Sequence, residues 1–137
     1  MFVTPYMVRF ADVDNAGIFY YPRFFHAFHV AFETWWERDV GRSYYQVIRK
    51  DRIGFPAVHI EVDFKRPVTF GDPMDIHVGV KRIGKTSVVF RYRFVHRETG
   101  EVHNEAEITK AIVDMDSFRP LQPPPEIHRA LERIRIT

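Results

Sequence analysis

The chain has 137 residues, no cysteine and a formal net charge of +2, which excludes disulfides, thiolate metal sites and a cysteine nucleophile. Hydrophobic residues make up 45% and charged residues 28%, the balance of one globular domain over residues 1–137 that buries roughly two-thirds of its unfolded surface. The basic residues are mixed with acids rather than gathered in a stripe, which argues against a nucleic-acid partner.

No apolar run approaches the ~20 residues of a membrane span. The N-terminus MFVTPYMVRFADVD lacks the basic start and apolar run of a signal peptide, so a cytoplasmic location is expected. The unusual count is 13 phenylalanines. Aromatics at that density imply a bulky core, a large subunit interface or an apolar pocket.

Residues 5–11 alternate as a strand, with Tyr6, Val8 and Phe10 on one face. The run Asp12-Val13-Asp14-Asn15-Ala16-Gly17 is dense in turn formers and predicts an irregular turn. Pro22 suits the first turn of a helix. From there to about Asp39, Phe25, Phe28, Phe32 and Trp35 or Trp36 recur at three- and four-residue spacing, flanked by Phe24, Ala27 and Ala31. So wide an aromatic stripe predicts a mostly buried helix, stopped at Gly41. A second short helix is expected from Ser43, its N-cap, to about Asp51.

The remainder alternates with period two and predicts strands over 57–66, 74–82, 86–96 and 101–115, with turns at Gly71-Asp72-Pro73, Gly84-Lys85 and Glu98-Thr99-Gly100. Residues 126–134 can form a terminal helix. One strand, one buried helix and about four further strands make an α+β chain whose antiparallel sheet curls around the helix.

Asp14 is the foremost candidate for chemistry. It lies in a turn between a strand and the start of a buried helix, where unpaired N–H groups and a partial positive charge can hold an oxyanion. A carboxylate beside such a site can attack a carbonyl or activate water; the plainer role is a side-chain cap of the turn. Asp12, at the strand end, suits a structural hydrogen bond. His26 and His29 stand three apart on the helix. Two histidines make an incomplete metal site, so neither metal nor cofactor is expected.

The run from Phe10 to Pro22, FADVDNAGIFYYP, resembles the active-site signature of the 4-hydroxybenzoyl-CoA thioesterase family. The likeness continues through Gly54-Phe55-Pro56, Phe64-Lys65-Arg66-Pro67-Val68, Phe70-Gly71-Asp72 and Gly84-Lys85-Thr86-Ser87, over most of the chain. The resemblance implies a hot-dog fold and acyl-CoA hydrolysis, with Asp14 catalytic, the Tyr21 backbone N–H on the thioester carbonyl, and Gly17 allowing close approach of the turn. It implies CoA phosphates near Lys85, Thr86 and Ser87, and a homodimer that pairs into a tetramer with its sites between subunits. Ile18, Phe19, Pro22, Phe25, His29, Phe55 and His59 are candidate substrate contacts, His59 on what reads as a central strand.

Some relatives in that family carry a histidine where this chain has Pro22, or a helical glutamate where it has Val30 or Ala31, which leaves the acyl group open. A non-catalytic binder of acyl-CoA or acyl-carrier protein shares the same fold. A dehydratase of this fold wants a histidine base, and residues 12–21 contain none.

Overall fold

The computed structural model describes residues 1–136. Strand β1 (Phe2–Met7) leads through a single 3-10 turn (Phe10–Asp12) to the long helix α1 (Pro22–Trp35), which runs on as a wider turn over Trp36–Val40. A short helix α2 (Tyr44–Gln46) follows, itself extended over Val47–Asp51. Then come β2 (Ile53–Gly54), β3 (Ala57–Phe64), β4 (Pro73–Ile83), β5 (Ser87–His96), β6 (Val102–Ala111), β7 (Val113–Asp114) and α3 (Pro125–Arg133).

The main sheet has the order β1-β4-β5-β6-β3, every neighbour antiparallel. It wraps around α1, and this is the α+β hot-dog arrangement. Cross-strand partners share a face, and the face toward α1 carries Met74, Ile76, Val78, Phe90, Tyr92 and Phe94, all buried. On α1 the rings at four-residue spacing meet β5 in reverse order. Phe24 lies 5.2 Å from Phe94, Phe28 5.1 Å from Tyr92, and Phe32 5.4 Å from Phe90. The helix therefore runs antiparallel to β5 and, two strands on, to β3. It ends where Gly41, at φ +84°, returns its N–H to the Trp36 carbonyl. Only a residue free of the Cβ penalty takes that left-handed conformation cheaply.

The helix, its glycine stop and the Ser43 cap, whose Oγ accepts the Gln46 N–H, lie where the residue pattern predicts. Three expectations are corrected. The first strand is Phe2–Met7 rather than 5–11, because the Asp12 carboxylate accepts the Arg9 N–H at 2.9 Å and bends the chain into a turn. The strand carrying His59 is an edge strand, not a central one, with β6 as its only neighbour among the described residues. The strand expected over 101–115 breaks at Ile112, and Val113–Asp114 pairs instead with Ile53–Gly54.

Candidate active site

The loop between β1 and α1 is built on Asp12. Its side chain is fully buried, yet all its partners are present: it accepts from the Tyr6 hydroxyl and the Arg9 N–H, each at 2.9 Å, and from Arg23 Nε at 3.1 Å. Burial and this bond push the Tyr6 phenol well above its usual range. Asp12 is thus a structural carboxylate, placed by the 3-10 turn and not by the end of a strand.

Beyond it, residues 13–19 form a small hairpin. Val13 bridges Phe19, the Asp14 N–H donates to the Ile18 carbonyl at 2.9 Å, and the Gly17 N–H returns to the Asp14 carbonyl at 2.9 Å. Gly17 sits at φ +79°. The Asp14 carboxylate is exposed, and its Oδ1 accepts the Ala16 N–H at 2.8 Å in an Asx-type turn. Its Oδ2 has no partner among the described residues. The hairpin is pinned to the connection between β3 and β4 by the Phe19 N–H on the Val68 carbonyl at 2.7 Å, and to the 3-10 turn by the Tyr20 N–H on the Asp12 carbonyl at 2.7 Å. The Phe19 ring is buried and stacks on Phe24 at 4.3 Å.

The start of α1 offers fewer free amides than a helix start usually does. Pro22 has no N–H, and the N–H groups of Arg23 and Phe24 are taken by the carbonyls of Tyr20 and Tyr21, at 2.8 and 3.2 Å. The Tyr21 N–H donates to no acceptor among the described residues. Beside it lies an open apolar groove of about 270 Å³, lined by Ile18, Tyr21, Phe24, Phe64 and Val68, with Lys65 among its basic margin. Phe64 approaches Tyr21 at 6.4 Å and Phe24 at 5.8 Å, both ring to ring.

Of the residues singled out from sequence, Asp14, Gly17, Ile18, Phe19, Tyr21 and Pro22 fall within this one loop and helix start. Phe25 is half-buried one turn on, and His29 is half-exposed one turn further. Phe55 is buried at the other end of α1, against Phe32, Trp36 and Tyr44. His59 lies on the outer face of the sheet, 3.2 Å from Glu61, in a charged concavity of about 500 Å³. The turn carrying Lys85, Thr86 and Ser87 joins β4 to β5 at the end of the sheet opposite the Asp14 loop.

The groove brings in Phe24, Phe64 and Lys65, which sequence reasoning did not assign to the site. Their signal was weak: an aromatic closing a strand before Lys-Arg-Pro. Among the described residues no cluster of His, Asp and Glu could hold a metal ion, and no helix is long and apolar enough to cross a membrane.

The chain is 30% identical over 132 residues to the 1,4-dihydroxy-2-naphthoyl-CoA hydrolase of Synechococcus sp., an alignment covering 91% of this chain and 84% of that one. It is 28% identical over 130 residues to the acyl-CoA thioester hydrolase YbgC of Escherichia coli, with 93% and 92% covered. A solved thioesterase-superfamily structure from Jannaschia sp. superposes at a TM-score of 0.89 with 26% identity, over 99% of this chain and 94% of its own. A Pseudomonas aeruginosa protein reaches 0.90 at 20% identity, over 100% and 93%, a likeness of fold. Residues 8–131 match the model of the thioesterase-like superfamily, and the chain belongs to that superfamily.

Proposed function

We propose that the protein hydrolyses an acyl-CoA thioester to the free acid and CoA, at the Asp14 loop and the start of α1. The observation that carries this is a pair of valences unfilled among the described residues, in one loop beside an apolar groove: Asp14 Oδ2 without a donor, and the Tyr21 N–H without an acceptor. Membership of the thioesterase-like superfamily and relatives that act on acyl-CoA thioesters support it.

In this reading the Tyr21 N–H, at the positive end of α1, takes the thioester carbonyl oxygen and the charge that develops on it. The tetrahedral centre forms by attack of Asp14 Oδ2 or of a water that gives Asp14 its proton, and collapse expels the CoA thiolate. On the water route Asp14 passes that proton to the thiolate and the free acid is formed at once. On the direct route an acyl-Asp14 anhydride is left that water cleaves to the free acid and the carboxylate. The Ala16 N–H holds the other carboxylate oxygen, fixing the direction of Oδ2. Ile18, Phe24 and Phe64 shelter the acyl group.

The working unit is a homodimer paired through β3. This edge exposes Val58, Ile60 and Phe64 and carries neither proline nor lysine, two of the devices that keep lone edges from pairing, although it does carry Glu61 and Asp63 and a register shift between Ala57 and His59. A two-fold axis across β3 reverses the second sheet. It carries the partner's turn with Lys85, Thr86 and Ser87 toward this site, where the lysine and hydroxyls suit the CoA phosphates.

The test is thiol release from a panel of short, long, branched and aromatic acyl-CoAs, for the wild type and for Asp14→Asn. Release by the first and not the second is expected. A folded wild type that releases no thiol from any member overturns the proposal. Single-turnover hydrolysis in oxygen-18 water separates the two routes: label in the Asp14 carboxylate marks direct attack.

A further inference from the structure

Helix α1 leaves the edge of the sheet uncovered. Ile60 and Phe64 point toward the helix side, as the partners of Ile108 and Asn104 on β6, yet are 45% and 50% exposed. A trough therefore runs between the inner face of β3 and the α1 stripe Tyr21, Phe25, His29 and Glu33, four residues apart and so on one helix face. Tyr21 and Phe64 mark one end. The other is marked by Ala57, opposite Lys110 on β6, and by Phe32, which meets Phe55 at 6.2 Å.

Lys110 is the anomaly at that far end. It is 6% exposed, its Nζ stands 3.5 Å from the centre of the Phe32 ring, and it has neither a hydrogen bond nor an ion pair among the described residues. Buried lysines are almost always paired. The nearby groups are mostly further donors. The Tyr44 hydroxyl accepts the Phe55 N–H at 2.8 Å, which leaves its own proton uncommitted. Tyr92, also buried, is within electrostatic reach of Tyr44, and its hydroxyl has no bonded partner among the described residues. His29 lies 6.2 Å from Tyr44, ring to ring. Among the described residues the one carboxylate acting on Lys110 is Glu33, half-exposed at the mouth and 3.8 Å from His29. A donor-rich, acceptor-poor interior is complete only when an acceptor enters it.

We propose that Lys110 anchors the far end of the acyl group, and that the trough takes acyl thioesters ending in a carboxylate. The assignment rests on the thioesterase reading above for the position of the thioester at Tyr21. From Tyr21 to Phe32, whose ring Lys110 faces, the helix rises about 16 Å; the Phe32 side chain leans back over the preceding turn, which leaves roughly 11 Å, the reach of a medium-chain dicarboxylic acyl group. The ligand carboxylate supplies the paired counter-ion that Lys110 lacks, and Glu33 turns to solvent. Tyr44 donates to the same carboxylate.

The test compares suberyl-CoA with octanoyl-CoA, equal in chain length and different only at the far end, by kcat/KM. It also compares binding of their non-hydrolysable ketone analogues, in which a methylene replaces the thioester sulfur, by calorimetry. The wild type favours the carboxylate-ended member by about tenfold or more in both measurements. In Lys110→Met, which keeps the volume of the side chain, the ratio falls to about one. The substitution removes the lysine from both subunits of a homodimer at once, so the readout holds whichever copy lines a given trough.

Equal or weaker use of the suberyl compounds by the wild type overturns the proposal, and that result needs no variant. A preference unchanged in Lys110→Met also overturns it. Binding preference without thiol release leaves the anchor standing and ends the hydrolase reading; thiol release without preference does the reverse.

Discussion

Arg23, in the first turn of α1, closes on the buried Asp12 carboxylate through two nitrogens, Nε at 3.1 Å and Nη2 at 3.0 Å from the same oxygen. The pair ties the start of the helix to the end of β1, and the Asp14 hairpin hangs between them. Asp12→Asn keeps the shape but removes the charge that Tyr6, Arg9 and Arg23 all donate to. We expect a loss of about 1–3 kcal/mol by chemical denaturation; Arg23 is one-third exposed, so water offsets part of the larger cost of a fully buried pair. Turnover should fall as well, through displacement of the hairpin, with KM rising alongside the drop in kcat.

Asp14→Asn is the opposite case. The amide oxygen still accepts the Ala16 N–H, so the turn survives and the melting temperature stays near that of the wild type. The free oxygen becomes an NH2 group that neither attacks a carbonyl nor takes a proton from water. A loss of about 10²–10⁴ in kcat is expected, measured as thiol release on the best substrate of the panel. Wild-type turnover in the variant would remove Asp14 from the chemistry.

Gly17 separates conformational strain from steric clash. It sits at φ +79°, and an added Cβ would meet nothing within 4 Å. Gly17→Ala therefore costs only the left-handed strain of an L-residue, about 1–2 kcal/mol, or is relieved by reshaping the hairpin. Thermal unfolding reads the first outcome. A fall in kcat without loss of stability reads the second, because the Asp14 N–H and carbonyl are both bonded inside that hairpin.

Pairing through β3 predicts an oligomer that one edge charge disperses. Val58 is 63% exposed on that edge. Val58→Lys puts an ammonium where a second strand would dock, a device natural edges use to stay single. Sedimentation should show the wild type as a dimer or larger and the variant as a monomer, with thiol release falling in parallel. A variant that sediments like the wild type would move the interface away from β3.

What the sequence makes legible follows from what is local. The α1 stripe, its Gly41 stop and the Ser43 cap each depend on neighbours within a few positions, and each was readable. The two-residue strands β2 and β7 are too short to carry a period. The edge position of β3 was hidden because strand order is set by non-local pairing, and an alternating strand looks the same at the centre or the rim. Asp12 and Asp14 were told apart by place alone: the first follows the strand pattern, closes the 3-10 turn and is buried, the second opens the hairpin and is exposed. Lys110 was legible only as a break in alternation. On β6 the inward positions are Asn104, Ala106, Ile108 and Lys110, two of them polar where the pattern asks for apolar residues.

That break has a consequence for stability that needs no substrate. Burial pulls the Lys110 ammonium down from its usual range to about 8, with Glu33 only partly opposing it. The folded value thus lies below the unfolded one, near 10.5. Above the unfolded value the amine is neutral in both states, and burial carries no charge penalty. As pH falls through the interval between the two, the unfolded chain takes up the proton first and stability is lost; below about 8 both states are protonated and the loss levels off. Lys110→Met removes this titration while keeping the volume. We expect the variant to be the more stable protein at neutral pH, by up to about 3 kcal/mol. The gap should narrow as pH is raised from 8 toward 10.5. Urea unfolding of both proteins across that range is the measurement, since every other titrating group contributes alike to the two curves. A constant difference would mean that Lys110 keeps its ordinary proton affinity and that water or a counter-ion reaches it in the folded state.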